Sequence, residues 1–151
     1  MLFRSWISKE EWDSYSLAVR AAGALIVGRR TYEILTKQSE FSEFGNVTLV
    51  VVSMEKKVKL VDEKHRIVKS PEEALQILQN FKEVVVAGGG ILNHAFLKKN
   101  LVDELYVDIE PIVISEGIPI FKGEEFEKRL KLLGQKKISD GEVQLHYKIV
   151  K

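Results

Sequence analysis

Three stretches of this chain hold residue types that bind anions. Val84-Val85-Val86-Ala87 is an apolar, mostly β-branched run closed by Gly88-Gly89-Gly90, after which Ile91, Leu92, Ala95 and Phe96 fall at helical spacing. A run that short reads as a buried strand, and the glycines as a strand-to-helix turn. Backbone without side chains lets a ligand lie against the peptide planes. The helix start beyond it offers unpaired N–H groups and a positive dipole to a phosphate. The spacing matches neither the six-residue dinucleotide fingerprint nor the P-loop.

The second stretch is Gly28-Arg29-Arg30-Thr31, which follows the apolar run Ala24 to Val27. The third is Ser53, at the end of Val47 to Val52. Guanidinium forks and hydroxyls at helix starts are what a nucleotide carrying an extra ribose phosphate needs. Arginines at a helix start oppose the helix dipole, and a bound anion removes that mismatch. All three stretches follow predicted strands, and open α/β sheets collect ligands beyond the carboxyl ends of their strands.

The other titratable residues form no comparable pattern. His65, His94 and His146 are widely separated, without metal-ligand spacing, and read as surface histidines, so no metal site is expected. There is no cysteine and no serine–histidine nucleophile pattern, and Asp103-Glu104 reads as a turn before a strand. With no acid–base set in view, the catalytic residues are unknown from sequence. That suits a hydride-donor cofactor, which brings the difficult chemistry with it.

The elements that must position these residues alternate. Ser8-Lys9-Glu10-Glu11 reads as a capping box in which Glu11 reaches back, and Trp12, Tyr15, Ser16 and Val19 then share one helix face that stops at Gly23. Thr31 leads into a second helix through Leu35, and Arg66 to Val68 is a small strand. Ser70-Pro71-Glu72-Glu73 starts a helix expected to run through Phe81, and Asn100 ends the helix after the glycines. A longer strand is expected over Leu105 to Ile114, interrupted by Pro111, followed by a short charged helix near Glu124 to Leu130. Asp140-Gly141 then turns a closing hairpin, with Val143, Leu145, Tyr147 and Ile149 alternating. The order predicts an α/β layer fold, a mostly parallel sheet with an antiparallel C-terminal hairpin.

At 151 residues the chain reads as one domain, 1–151. Its 23 basic and 22 acidic residues exert no pull toward nucleic acid or a membrane surface. No apolar run is long enough to span a bilayer, and a cysteine-free chain fits a reducing cytoplasm. The β-rich edges of Leu105 to Ile114 and of the last hairpin need cover, which predicts a homodimer through the C-terminal strands.

Gly28-Arg29-Arg30-Thr31-Tyr32-Glu33, Val50-Val51-Val52-Ser53 and Val86-Ala87-Gly88-Gly89-Gly90-Ile91-Leu92 resemble the three cofactor segments of the dihydrofolate reductase-like superfamily. Leu101-Val102-Asp103-Glu104-Leu105, with Pro111, Gly117 and Phe121, is similar to its riboflavin-biosynthesis branch, which includes the reductase domain of the bifunctional deaminase–reductase. The resemblance implies the three-layer fold of that superfamily and an NADPH-dependent reductase. Its hydride would go to a C=N or C=O bond of a small heterocyclic or ribosylaminopyrimidine-type substrate. It places Arg29, Arg30 and Ser53 on the adenosine 2′-phosphate, and Thr31 with the amides of Gly89, Gly90, Ile91 and Leu92 on the pyrophosphate. It also implies a cis bond between Gly88 and Gly89, a cofactor contact from Trp6, and a substrate-phosphate role for Arg20.

The family's first strand and its Asp-Gly-type substrate loop are expected to be missing, because Met1 to Ile7 is too short to supply both. Ala87 stands where riboflavin-type reductases often carry glutamate. These departures motivate an alternative, a non-catalytic nucleotide-binding or oligomeric domain that has lost its substrate loop. Genuine folate reduction is disfavoured, because Ser16 and Arg20 do not supply the acid expected on the first helix.

Overall fold

The computed structural model describes residues 7–55 and 57–151. Helix α1 (Lys9–Ala22) begins where Ser8 Oγ accepts the Glu11 amide hydrogen at 2.9 Å, and it ends at Gly23, whose φ of 77° lies in the left-handed region that favours glycine. Strand β1 (Ala24–Gly28) and helix α2 (Arg29–Leu35) follow, then a 3₁₀ turn over Ser39–Phe44. Next come β2 (Thr48–Val52), β3 (Arg66–Val68), α3 (Pro71–Ile77), β4 (Val85–Val86) and α4 (Gly90–Lys98). Strands β5 (Glu104–Ile109), β6 (Arg129–Lys137) and β7 (Val143–Val150) complete the chain.

Strands β1 to β4 form one parallel sheet in the order β3-β2-β1-β4. Leu25, Val27, Leu49 and Val51 pack on Trp12, Val19, Tyr32 and Leu35 of α1 and α2. On the other face Ala24, Ile26 and Val50 pack on Ala74 and Leu78 from the α3 side and on Leu92 and Phe96 of α4. Burial on both faces is why these strands read as unbroken apolar runs, and each large aliphatic side chain buried there contributes about 1.5–3 kcal/mol. The α/β class with a parallel sheet expected from the sequence is the one observed. Its antiparallel part is a separate three-stranded sheet, β5-β7-β6. No helix among the described residues is long and apolar enough to cross a membrane.

Three local expectations change. The strand expected to reach Ile114 stops at Ile109, because Glu110 precedes Pro111 and a proline cannot donate to the ladder. Helix α3 ends at Ile77, which is exposed, and Phe81 packs against the core from beyond the helix. The charged helix expected near Glu124 to Leu130 is absent: Arg129 already belongs to β6. Contacts with α4 and with Asn100 just past it hold residues 124–128 outside any helix. The Glu124 carbonyl lies 2.7 Å from His94 Nε2, its carboxylate meets Lys98, and Lys128 donates to Asn100.

The segment before it lies across the start of α4. Lys122 N donates to Gly90 O at 3.0 Å and Asn93 donates to Ile120 O at 3.0 Å. Only glycine fits at Gly90, since a Cβ there would stand 2.4 Å from the Pro119 carbonyl oxygen. Gly90→Ala is expected to cost about 1–3 kcal/mol through this overlap, measurable as a lower melting temperature.

Candidate functional site

The strand order puts β1 at the centre, and the chain crosses from β3 on one side to β4 on the other. The crevice between the carboxyl ends of β1 and β4 is therefore the topological switch point. Gly28 N donates to Gly88 O at 2.7 Å across it. A Cβ on Gly28 would face Gly88 O and Gly89 N, each at 3.6 Å, and one on Gly89 would face Thr31 Oγ1 at 3.6 Å. Gly28, Thr31 and the glycine turn thus form one continuous surface.

Gly88 has a φ of 96°, and the Gly88–Gly89 bond is cis, as the resemblance implies. Helices α2 and α4 start at Gly28 and Gly89 with no side-chain cap. The Asn93 amide is the first of α4 to reach back, to Gly89 O, so the amides of Gly90, Ile91 and Leu92 have no partner within the helix. Leu92 is buried and can offer only its backbone, while Ile91 is exposed.

Arg29 and Ser53 meet through Glu55. Arg29 Nε lies 3.4 Å from the Glu55 carboxylate and its Nη1 lies 3.1 Å from Glu33, while Ser53 Oγ accepts the Glu55 amide hydrogen at 3.1 Å. These carboxylates already offset the dipole mismatch at Arg29. Arg30 is exposed and takes part in none of the ion pairs among the described residues, so it is the guanidinium open to an anion.

One expected residue, Arg20, does not join this group. Trp6 lies outside the described residues. Arg20 sits exposed in the last turn of α1, and Gly23 just beyond it accepts from Thr48 at the beginning of β2. That is the opposite edge of the sheet, a full five-residue strand away from Gly28. The histidines are not all surface residues either. His65 is buried, with Nδ1 2.8 Å from the Tyr32 hydroxyl, and burial pushes its pKa down. His94 is buried too, and a Cβ on Gly123 would strike its ring at 2.5 Å.

The structure adds a mostly apolar cavity with two carboxylates in its wall, which sequence reasoning missed. It measures about 260 Å³ and is lined in part by Glu11, Trp12, Tyr15, Thr31, Ala87 and Asp108. Thr31 and Ala87 belong equally to the glycine surface, so cavity and cradle are contiguous. Ser8 caps α1 as expected, yet the Glu11 side chain does not complete a capping box. Glu11, Glu110 and Glu142 bring carboxylate oxygens within 4.8 Å of one another, and Ser8 Oγ donates to Glu142 at 2.6 Å.

Burial, a hydrogen bond with the Glu110 carboxyl, and the charges of Glu110, Asp108 and Glu142 raise the Glu11 pKa to about 8. The hydrogen bond from Ser8 holds Glu142 below the usual carboxylate range. One oxygen of Glu11 and both of Glu110 are sealed from water. Neighbouring carboxyls with pKa values pushed apart are the usual arrangement for an acid and a stabilising anion.

This cluster gives stability a pH dependence. Folded Glu11 keeps its proton until about pH 8, whereas the unfolded group loses it near 4.5. Stability from this group is complete below pH 4.5 and lost as pH rises through 8. After discounting for solvent screening the loss is about 1–2 kcal/mol. Glu11→Gln should flatten this fall and melt above wild type at pH 9, as thermal denaturation across the range would show.

Comparison with known proteins follows the same outline. The family model of the RibD C-terminal domain matches residues 3–144. Uncharacterized protein YwjB of Bacillus subtilis is 26% identical over 151 residues, covering 94% of this chain and 84% of its own. RibD of Acinetobacter baumannii superposes with a TM-score of 0.77 at 16% identity, over 97% of this chain and 52% of its own, so this chain spans about half of that protein. A pyrimidine reductase-like protein of Corynebacterium diphtheriae superposes with a TM-score of 0.71 at 15% identity, over 99% of this chain and 85% of its own.

Proposed function

The chain belongs to the RibD C-terminal domain family, and on that footing we propose that it is an NADPH-dependent reductase. Its acceptor is a C=N or C=O bond of a heterocyclic or ribosylaminopyrimidine-type substrate. The observation that carries this reading is the unbroken contact of Gly28 and Thr31 with Gly88–Gly89, beside Arg29 and Arg30. The residues fit the cofactor. Arg29, Arg30 and Ser53 would hold the 2′-phosphate, with Thr31 and the free amides of Gly90 to Leu92 on the pyrophosphate. A bound reduced nicotinamide supplies hydride.

This chain's own residues do the rest. Glu11, protonated at neutral pH, delivers a proton to the acceptor heteroatom in the cavity that adjoins the cradle. The ionised Glu142 and the Asp108 carboxylate, oriented by Gln144 at 2.8 Å, favour the positive charge that develops there. Trp12 and Tyr15 exclude water and limit acceptor orientation. A cavity with a poised acid next to the cradle favours an enzyme over a non-catalytic nucleotide-binding domain. Titration with NADPH, followed by nicotinamide fluorescence, tests the reading: saturable binding supports it, and no binding ends it.

The partner that suits the C-terminal sheet is a second copy of the chain. Ile109 pairs with Val143, Leu132 with Tyr147 and Leu130 with Ile149, which puts these side chains on one sheet face. Ile109, Leu130, Leu132 and Val143 are exposed there, apolar side chains of the kind that mark an interface. Sedimentation should show a dimer at micromolar concentration and a monomer for Leu132→Glu.

A further inference from the structure

Resting on the reductase reading, we infer that Glu55 sets the cofactor preference of this chain. Its carboxylate stands where the 2′-phosphate of NADPH would bind, and it must leave Arg29 for that phosphate to take its place. The register of the sheet brings the parts together. Gly28 pairs with Val52 across neighbouring parallel strands, so the residues that follow, Arg29 and Ser53, sit side by side at the strand tips. The Ser53 amide donates to Val68 O at 2.9 Å, which ties the tip of β2 to β3. The Ser53 hydroxyl then organises the turn, accepting from the Glu55 amide at 3.1 Å and donating to the Glu55 carbonyl at 3.3 Å. That turn delivers the Glu55 carboxylate to within 3.4 Å of Arg29 Nε.

One acidic residue therefore occupies both Arg29 and Ser53. A guanidinium beside a hydroxyl is what a phosphate monoester needs, and here the protein's own anion fills the place. The contact yields easily. The Glu55 side chain is 65% exposed, and an exposed ion pair of this kind holds only about a 1.5- to 5-fold preference. Glu33 acts differently: it meets Arg29 Nη1 from within α2 and leaves the Nε side of the guanidinium to Glu55.

The two dinucleotides meet this acid differently. A phosphate monoester carries about −1.5 to −2 charges at pH 7, so the 2′-phosphate is repelled until the carboxylate swings into solvent. The 2′-hydroxyl of NADH is a donor, and a carboxylate accepts it, the pairing by which acidic residues hold a ribose in other dinucleotide sites. Glu55 thus opposes NADPH and tolerates NADH, whereas the open Arg30 favours NADPH. The preference for NADPH is narrowed by this one side chain.

The test titrates NADPH and NADH, followed by nicotinamide fluorescence, into the full chain and into Glu55→Gln, Arg29→Ala and the double variant. Glu55→Gln removes both the competing pair and the like-charge repulsion. It should tighten NADPH binding and leave NADH binding no tighter, raising the ratio of the two affinities at least threefold. The loss of NADPH affinity on Arg29→Ala should be at least threefold larger in the Glu55→Gln background, where the guanidinium is free to meet the phosphate. A merely structural role for Glu55 would move both cofactors together and leave that loss the same in both backgrounds. A ratio that moves less than threefold, or equal Arg29→Ala losses, would overturn the inference, and saturable NADPH binding in the same titrations would leave the reductase reading standing. No binding of either dinucleotide by wild type or any variant would sink that reading and this inference with it.

Discussion

Glu11→Gln is expected to lower kcat by about 10²–10⁴-fold, the usual contribution of a positioned general acid, and to leave NADPH affinity within about twofold of wild type. The split follows from geometry. Glu11 lines the cavity, while the cofactor residues lie beyond Thr31 and Ala87 on the strand tips. Glutamine keeps the size and hydrogen-bonding capacity of a protonated glutamate but has no proton to deliver. The pH profile gives a second readout. Wild-type kcat should fall on the alkaline side as Glu11 ionises near pH 8, and the variant should lose that limb. A fall in kcat matched by an equal loss of cofactor affinity would instead mean that Glu11 supports the fold of the site.

Arg30→Ala is expected to weaken NADPH binding about 10- to 150-fold, the equivalent of one hydrogen-bonded charge pair of about 1.5–3 kcal/mol, and to leave NADH binding unchanged. Arg30 carries this expectation because it is exposed at the helix start, whereas Arg29 is occupied by Glu33 and Glu55. Arg29→Ala should have the smaller effect, since a phosphate at Arg29 competes with two carboxylates already in place. Titrating both dinucleotides into both variants measures the difference. Equal losses for NADPH and NADH at Arg30 would remove the 2′-phosphate from the account.

What the sequence makes legible here is what neighbouring residues encode. Ala24 to Gly28 and Thr48 to Val52 are buried on both faces, so they appear as apolar runs, and the turns after them carry their own glycines and caps. The switch-point contact between Gly28 and Gly88 follows once those strands are recognised as parallel neighbours. The acid cluster is different. Glu11, Asp108, Glu110 and Glu142 come from an α1 turn, the end of β5 and the start of β7, and no local pattern joins them. Ser8-x-x-Glu11 fits a capping box, and that local explanation hid the side chain's actual neighbours. The one trace was Asp108 and Glu110 two apart in a β-rich run, which puts two acids on the same face.

The antiparallel sheet shows the same limit. Arg129 to Lys137 mixes lysines with leucines, a composition that suits a helix as well as an exposed edge strand. Pairing with β7, remote from any local signal, decides it. Arg20 lies away from the glycine turn for a related reason. A helix antiparallel to its following strand carries its last turn to the amino edge of the sheet, away from the strand tips where ligands gather.

The most direct test is a crystal structure of the protein soaked with NADPH. The account predicts the pyrophosphate against the amides of Gly90 to Leu92 and Thr31, with the 2′-phosphate within hydrogen-bond reach of Arg30 and the nicotinamide opening onto the cavity beside Glu11. Cofactor density away from the crevice between β1 and β4, or none at millimolar NADPH, would contradict it.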